Sequence, residues 1–152
     1  MPDLLAGTTV RAMDFPEAVS DRGDSSFSAT ITTYGTTASS GTYEEVGVAF
    51  MAPTSGRILI LTAARMTNSS TDGTLVSPET RTGSTIGSGV AWETIGDGHG
   101  VSHYGANFAR IGVSHFMGSL TPGDPYNVRL LHRVSGGTGT FALRELTVVP
   151  LP

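Results

Sequence analysis

Short runs of alternating apolar and polar residues recur along the chain, separated by clusters of Gly, Pro, Ser and Thr. No window of a dozen residues keeps apolar positions at three- and four-residue spacing without a break, so the pattern does not favour helices. Alternation with period two predicts an all-β fold, a jelly-roll β-sandwich of about eight antiparallel strands. The residues that this alternation assigns to the core are Phe27, Ile31, Val46, Val48, Phe50, Ile58, Ile60, Val113, Val128, Leu130, Leu146 and Val148.

Three runs predict individual strands, and a fourth region predicts a hairpin at the end of the chain. Residues 56–66 (GRILILTAARM) are apolar on both faces for most of their length, which favours a central strand covered on both sides. Residues 74–82 contain Pro78, which is typical of an edge strand or a bulge. Residues 88–96 (SGVAWETIG) predict a further strand, and the chain ends in a hairpin around residues 135–139, whose glycines permit a tight turn.

The first 24 residues differ from the remainder in having two prolines, four Asp and alternating small residues. They predict an extended N-terminal arm, residues 1–24, in front of a jelly-roll domain of residues 25–152. An extended arm can add backbone hydrogen bonds to a partner and place apolar side chains in its shallow pockets. The predicted partner-binding residues of the arm are Leu4, Leu5, Val10, Arg11 and Phe15. Without a basic region or a long apolar core, the arm predicts neither a signal peptide nor a membrane anchor, and synthesis in the host cytoplasm is expected.

The amino-acid composition excludes several classes of partner and site. Only 14% of the residues are charged, against roughly 25% in an ordinary domain, so much surface is expected to be covered by copies of the same chain. The net charge is −4 and the basic residues are scattered, which predicts no nucleic-acid partner. The absence of cysteine excludes a disulfide framework and a thiolate metal site. All nine basic residues are Arg, which suggests a GC-rich genome.

A glycine-rich stretch at residues 96–105 (GDGHGVSHYG) carries the main candidate chemistry. With Glu93, its residues Asp97, His99 and His103 offer imidazole and carboxylate ligands for a divalent metal. Histidines four residues apart share a face reliably only on a helix, so we predict a solvated or contact loop, with no metal and no cofactor. The candidate ligand loop, for a glycan or a receptor, comprises Trp92, His99, His103 and Tyr104.

No enzyme is predicted, because the sequence has no Gly-x-Ser-x-Gly turn after a strand and no catalytic residues can be assigned. The tripeptide Arg22-Gly23-Asp24 matches an integrin-binding motif, but a three-residue match is weak and a polar hinge is the simpler interpretation. Arg129 and Arg133 alternate on the polar face of a late strand. We expect them on an outer or inter-subunit face, reaching carboxylates such as Glu145, or Asp124 of another copy.

Two segments together resemble the jelly roll of the tumour necrosis factor and complement globular-head superfamily. Residues 48–64 (VAFMAPTSGRILILTAA) are similar to its early strand, Pro, Gly turn and long apolar strand, and residues 118–150 (GSLTPGDPYNVRLLHRVSGGTGTFALRELTVVP) are similar to its ending. Such domains are typically homotrimers that display a binding surface, so the resemblance implies a homotrimer.

The Lys-free, Thr- and Gly-rich domain behind an extended arm also resembles small virion proteins of tailed phages of GC-rich bacteria. This resemblance implies a virion structural protein, either a capsid decoration protein or a minor tail or fibre protein. Its arm would attach to the major capsid or tail protein of the particle. The alternative from another class is a carbohydrate-binding or receptor-binding β-sandwich module.

Overall fold

The structure, a computed structural model, describes residues 16–152, so the predicted partner-binding residues of the arm lie outside the described residues. The described chain forms ten strands and one 3-10 turn at Asp97–His99. The strands are β1 (Val19–Gly23), β2 (Phe27–Ala29), β3 (Ser40–Gly41), β4 (Gly47–Met51), β5 (Ile58–Asn68), β6 (Gly73–Thr82), β7 (Val101–Tyr104), β8 (Ala109–Met117), β9 (Pro125–Val134) and β10 (Gly139–Pro150).

The strands form two antiparallel sheets that pack face to face. The larger sheet has the order β3-β2-β10-β5-β8, and β1 pairs with the remaining length of β10. The smaller sheet has the order β4-β9-β6-β7. This arrangement confirms the all-β jelly roll. Within residues 16–152 no helix has the length and apolar character needed to span a membrane.

The core lies between the sheets and matches the predicted residues, apart from two. Ile31 is half-buried and packs against the core, whereas Val113 is 38% exposed. Val113 pairs with the buried Thr62 but belongs to β8, the last strand of its sheet. Assigning Val113 to the core was therefore wrong, because alternation identifies a face of a strand but not the strand's distance from the edge of the sheet.

Part of the predicted arm belongs to the sheet. Strand β1 pairs with β10, from Val19 opposite Val148 to Gly23 opposite Arg144. The Asp21 carboxylate also accepts a hydrogen bond of 2.9 Å from the Gly47 amide, which links the two sheets. Residues 19–23 are thus part of the folded domain, because they occupy an edge of β10 that would otherwise be unpaired.

Two further strand predictions can be compared with the structure, for residues 88–96 and for the strand that contains Pro78. Residues 88–96 form no strand; a single bridge joins Ala91 to Arg81. Gly89 has φ +93°, and a Cβ there would lie 1.9 Å from the Thr82 carbonyl oxygen, so this close turn requires glycine. Strand β6 pairs with β9 along its length but with β7 only as far as Val76. Pro78, which has no N–H to donate, lies where only β9 pairs with the strand.

A β-bulge reverses the faces of the last strand. Ala142 pairs with Arg65 and Glu145 with Ala63, so two residues of β10 lie opposite one residue of β5. Leu143 in the bulge has φ +47°, which is uncommon for a residue other than glycine. The bulge turns Arg144 inward, where its guanidinium lies 4.8 Å from the Phe27 ring and burial lowers its pKa.

Candidate functional site

The outer face of the larger sheet is apolar, and the described residues of the chain leave it uncovered; we call it the open face. It is formed by the outward residues of three adjacent strands, namely Leu59, Leu61, Ala63, Gly112, Ser114, Phe116, Thr147 and Val149. Leu61 is 39% exposed and Phe116 is 56% exposed. Strand β5 was predicted to be covered on both sides, but the described chain covers only its inner side.

A shallow depression lies beside these side chains. Ala63 and Gly112 pair directly across β5 and β8, and Leu61, Ser114 and Thr147 line the same depression. Its border is charged, because Glu145 contacts Arg22 Nη1 at 3.2 Å and Arg110 Nη2 at 2.6 Å. An apolar centre with a polar rim is the usual arrangement of a protein–protein interface.

The outer face of the smaller sheet, the closed face, is polar and covered by the loop of residues 83–100, the covering loop. Asn127 lies fully buried beneath this loop. Its amide nitrogen donates to the carbonyls of Gly83 (2.9 Å) and Ser88 (3.2 Å), and its amide oxygen accepts from the Gly87 N–H (3.0 Å). Ser77 Oγ donates to the Gly96 carbonyl at 2.8 Å. The polar side chains of the strands thus satisfy the backbone of the loop.

Charged side chains on the closed face form a linked set. Glu79 accepts hydrogen bonds from Arg81 Nη2 and Arg129 Nε, each 2.8 Å long, and its side chain is only 9% exposed. Burial by itself raises the pKa of Glu79, but the hydrogen bonds and positive charges of the two arginines outweigh it, so the pKa lies below its usual value. Arg129 Nη1 also approaches Glu45 at 3.4 Å. This set therefore holds strands β6 and β9 together from the outside.

Arg133 joins the covering loop through Asp97. Its guanidinium Nε contacts Asp97 Oδ1 at 3.0 Å and Nη2 contacts Oδ2, while the Tyr34 hydroxyl donates to Oδ1 at 2.9 Å. The hydrogen bond from Arg133 lowers the pKa of Asp97. Burial, followed by the hydrogen bond to Asp97, raises the pKa of Tyr34.

The expectation that Arg129 and Arg133 reach Glu145 was therefore wrong. Arg129 contacts Glu79 and Arg133 contacts Asp97 within the chain, because the covering loop lies over this face. Glu145, on the opposite sheet, pairs with Arg22 and Arg110 instead.

The four residues of the predicted ligand loop do not come together. Trp92 donates its backbone N–H to the Thr80 carbonyl, and its ring packs edge-on against Tyr126 at 5.3 Å. Tyr104 pairs with Gly73, seven residues from Thr80 along β6, which is about 23 Å at roughly 3.3 Å per residue. Trp92 and Tyr104 therefore do not form one stacking platform for a sugar.

The two loop histidines also separate. His103 Nε2 contacts the Asn107 carbonyl at 2.6 Å, whereas the His99 ring stacks on that of His115, with centroids 4.4 Å apart. Glu93 contacts both members of this second pair. Sequence reasoning missed His115, although alternation along β8 places it on the inward face, toward the covering loop.

The Arg22-Gly23-Asp24 tripeptide lies at the end of β1, where Gly23 is buried and Arg22 bonds to Asp24 and Glu145. It does not present a free carboxylate from a tight loop, as recognition by an integrin metal requires. The interpretation as a polar hinge was also wrong for Arg22 and Gly23, because both residues are paired with β10 in strand β1.

No protein-family model matches this chain, and a search of curated proteins finds no match. Among solved structures, Eiger TNF from S. frugiperda superposes with a TM-score of 0.50 over 90% of this chain and 94% of that chain, at 8% identity. A chain of infectious bursal disease virus, Gx strain, gives a TM-score of 0.47 at 12% identity over 90% of this chain, which spans 34% of its length. The first likeness confirms a TNF-like jelly roll as the fold.

Proposed function

We propose that this protein is a non-enzymatic structural protein whose copies associate as a homotrimer through the open face. The observation that carries the proposal is strand β5, whose residues are apolar on both faces although residues 16–152 cover only one of them. Burying exposed apolar area contributes about 25 cal/mol per Å². A second copy supplies the apolar cover that the described part of the chain lacks.

The open face approaches the size of a standard specific interface. Strand β5 has 11 residues, about 36 Å, and with three or four neighbouring strands about 4.8 Å apart the face covers roughly 500–700 Å². Specific interfaces bury about 800 Å² per partner. The closed face offers no comparable apolar area, because the covering loop already occupies it.

The shape of the open face supports contact between copies. Phe116 projects as a knob, whereas Ala63 and Gly112 form a depression on the same face. A knob of one copy that enters the depression of the next makes a heterologous contact, and such contacts form a ring when the rotation between copies closes. Threefold closure agrees with the trimers expected from the family resemblance.

Sedimentation velocity or light scattering at micromolar concentration tests this association. The wild-type chain is expected as a trimer, and Leu61→Asp as a folded monomer, because the new carboxylate cannot be buried in an apolar contact. Val90→Asp is the matched control, since Val90 is 72% exposed on the covering loop, away from the open face. A monomeric wild type, or a Leu61→Asp variant that still associates, would contradict the proposal.

Within this proposal the trimer serves as a structural component of a phage virion, as a capsid decoration or minor tail or fibre protein. Its arm attaches to the major capsid or tail protein, and the jelly roll is displayed outward. Support comes from β1, which anchors the chain at Val19 on the edge of the larger sheet, so residues before it leave from a fixed point.

Deletion of residues 1–15 tests the attachment separately, because it stops short of β1. The truncated protein is expected to stay trimeric and folded by circular dichroism but to leave particles undecorated. Full decoration by the truncated protein would show that the arm is not the anchor, without affecting the trimer.

A further inference from the structure

A cluster of two histidines and one glutamate links the covering loop to β8, away from the open face. Glu93 and His99 belong to the covering loop, and His115 belongs to β8 of the larger sheet. His115 Nε2 lies 2.8 Å and His99 Nδ1 lies 3.7 Å from the same atom, Glu93 Oε2. Two ring nitrogens and one carboxylate oxygen thus converge from two separate segments of the chain.

We infer that Glu93, His99 and His115 form a binding site for a divalent transition metal of the zinc type. The ligand atoms all lie within 4.8 Å of one another. Zinc bonds of about 2.0–2.1 Å place tetrahedral ligand atoms roughly 3.3 Å apart, a spacing between the two measured contacts of Glu93. Imidazole nitrogens favour zinc, cobalt and nickel over magnesium and calcium, which prefer oxygen ligands.

The loop is open beside Gly98, which gives His99 room to adjust, whereas Gly100 packs against the Val76 carbonyl. The lone pair of each ring nitrogen lies in its ring plane, so the two rings, now 22° from parallel, must tilt for both nitrogens to bind one ion. His99 lies between Gly98 and Gly100, and Gly98 has no neighbouring atom within 4 Å of an added Cβ. The side chains of all three ligands are also partly exposed, between 17% and 38%, so an ion has a path from solvent.

Bound metal would join the covering loop to the larger sheet. The loop follows β6 of the smaller sheet, whereas His115 pairs with the buried Ile60 in the larger one. An ion held by both would tie the two sheets together at β8, the edge strand of the larger sheet. The site uses three protein ligands, which leaves the fourth zinc position for water or for a group from a partner.

Isothermal titration of the untagged, full-length protein with Zn²⁺ tests the inference. One ion per chain is expected, together with a rise in unfolding temperature, because a ligand that binds only the folded state stabilises it. His115→Ala and Glu93→Ala are each expected to weaken binding by more than the roughly 10–100-fold that loss of an outer-shell partner costs. Glu93 is on a partly exposed loop, so its variant tests the site even if His115→Ala folds poorly.

His103→Ala is the matched control, because His103 is a histidine of the same segment that bonds to Asn107 rather than to Glu93. It is expected to bind Zn²⁺ like the wild type, and Co²⁺ is expected to give the same visible spectrum in both. The inference is overturned if the wild type shows no saturable binding. It is also overturned if the Glu93→Ala variant binds as tightly as the wild type, or if His103→Ala loses binding equally.

Discussion

The two outer faces of the sandwich differ in polarity and in whether a loop of the chain covers them. Strand β9 turns Asn127, Arg129 and Arg133 outward, and the covering loop buries or half-buries all three within the chain. Strand β5 turns Leu59 and Leu61 outward, and nothing in the described residues covers them. The polar face is closed and the apolar face is open, which is the reverse of the arrangement expected for a protein that functions as a monomer.

The contrast shows what each kind of surface requires. A polar face can be covered by a glycine-rich loop, because loop backbone groups pair with Asn127 and the Asp97 carboxylate pairs with Arg133. Gly87 illustrates the fit, since an added Cβ would lie 2.4 Å from Arg129 Nη1. An apolar face gains little from such a loop and needs another apolar surface. We therefore interpret the closed face as part of the domain's own stability and the open face as a site of association.

The largest effect is expected from removal of the carboxylate shared by two arginines. Glu79→Ala leaves Arg81 and Arg129 half-buried without their common partner. The free energy of unfolding is expected to fall by about 2–4 kcal/mol, near the roughly 3–5 kcal/mol for breaking a fully buried pair. Chemical denaturation measures it. The Glu17→Ala variant, an acid outside this set, is the control, and equal stability of the two variants would contradict the structural role of the network.

A smaller loss of stability is expected when the covering loop loses its hydrogen bonds to the buried Asn127 side chain. Asn127→Ala removes three hydrogen bonds to the covering loop, and the carbonyls and amide left behind cost about 1–3 kcal/mol. Hydrogen exchange is expected to rise in residues 83–92 before it rises in β5. If the amides of the loop keep their protection in this variant, the loop is held by other contacts.

A substitution on the open face should weaken self-association and leave the stability of the single chain nearly unchanged. Phe116→Ser is expected to weaken self-association by about tenfold, because a side chain that is 56% exposed in one chain loses its apolar contact with the next. The free energy of unfolding of the dissociated chain should change by less than about 0.5 kcal/mol. Sedimentation across a dilution series separates the two quantities. A stability loss without a change in association would show that Phe116 serves the domain alone.

The smallest expected effect is a loss of stability at low pH, and it arises from the closed face. The pKa values of Glu79 and Asp97 are lowered in the folded chain, so their contribution to stability is complete above the unfolded pKa values of about 4. It is lost as the pH falls through their folded pKa values. Trp92 emission, which reports on its contact with Tyr126, should change in this range. Asp97→Asn should flatten the transition, and an unchanged profile would exclude Asp97 from it.

Much of the fold could be predicted because strand alternation is a local property. Val46, Val48, Ile58 and Ile60 are buried as expected, since each strand needs one apolar face toward the core. In the last strand, Leu146 and Val148 were also placed correctly, but the bulge at Leu143 and Arg144 that reverses the faces was not foreseen. The bulge leaves no local signal, because it depends on how β10 matches β5.

The candidate site was harder to predict because its parts come from distant segments. His99 was identified from its loop, but its neighbour is His115, a strand residue, and not His103. The signal that existed was the inward position of His115 on β8 together with Glu93 in the preceding loop. Nothing in the local spacing indicates that these residues meet, since their contact requires the covering loop to cross from one sheet to the other.

The sequence by itself therefore determined the class of fold, the composition of each strand face and the unusual apolar character of both faces of β5. Only the tertiary structure decided which face the chain covers itself and which it leaves open. The reason is physical: periodicity along a strand records whether a side chain is apolar, whereas cover depends on the path of a loop many residues away. Residues 88–96 were predicted as another strand, and in the folded protein they belong to the covering loop, which closes the polar face.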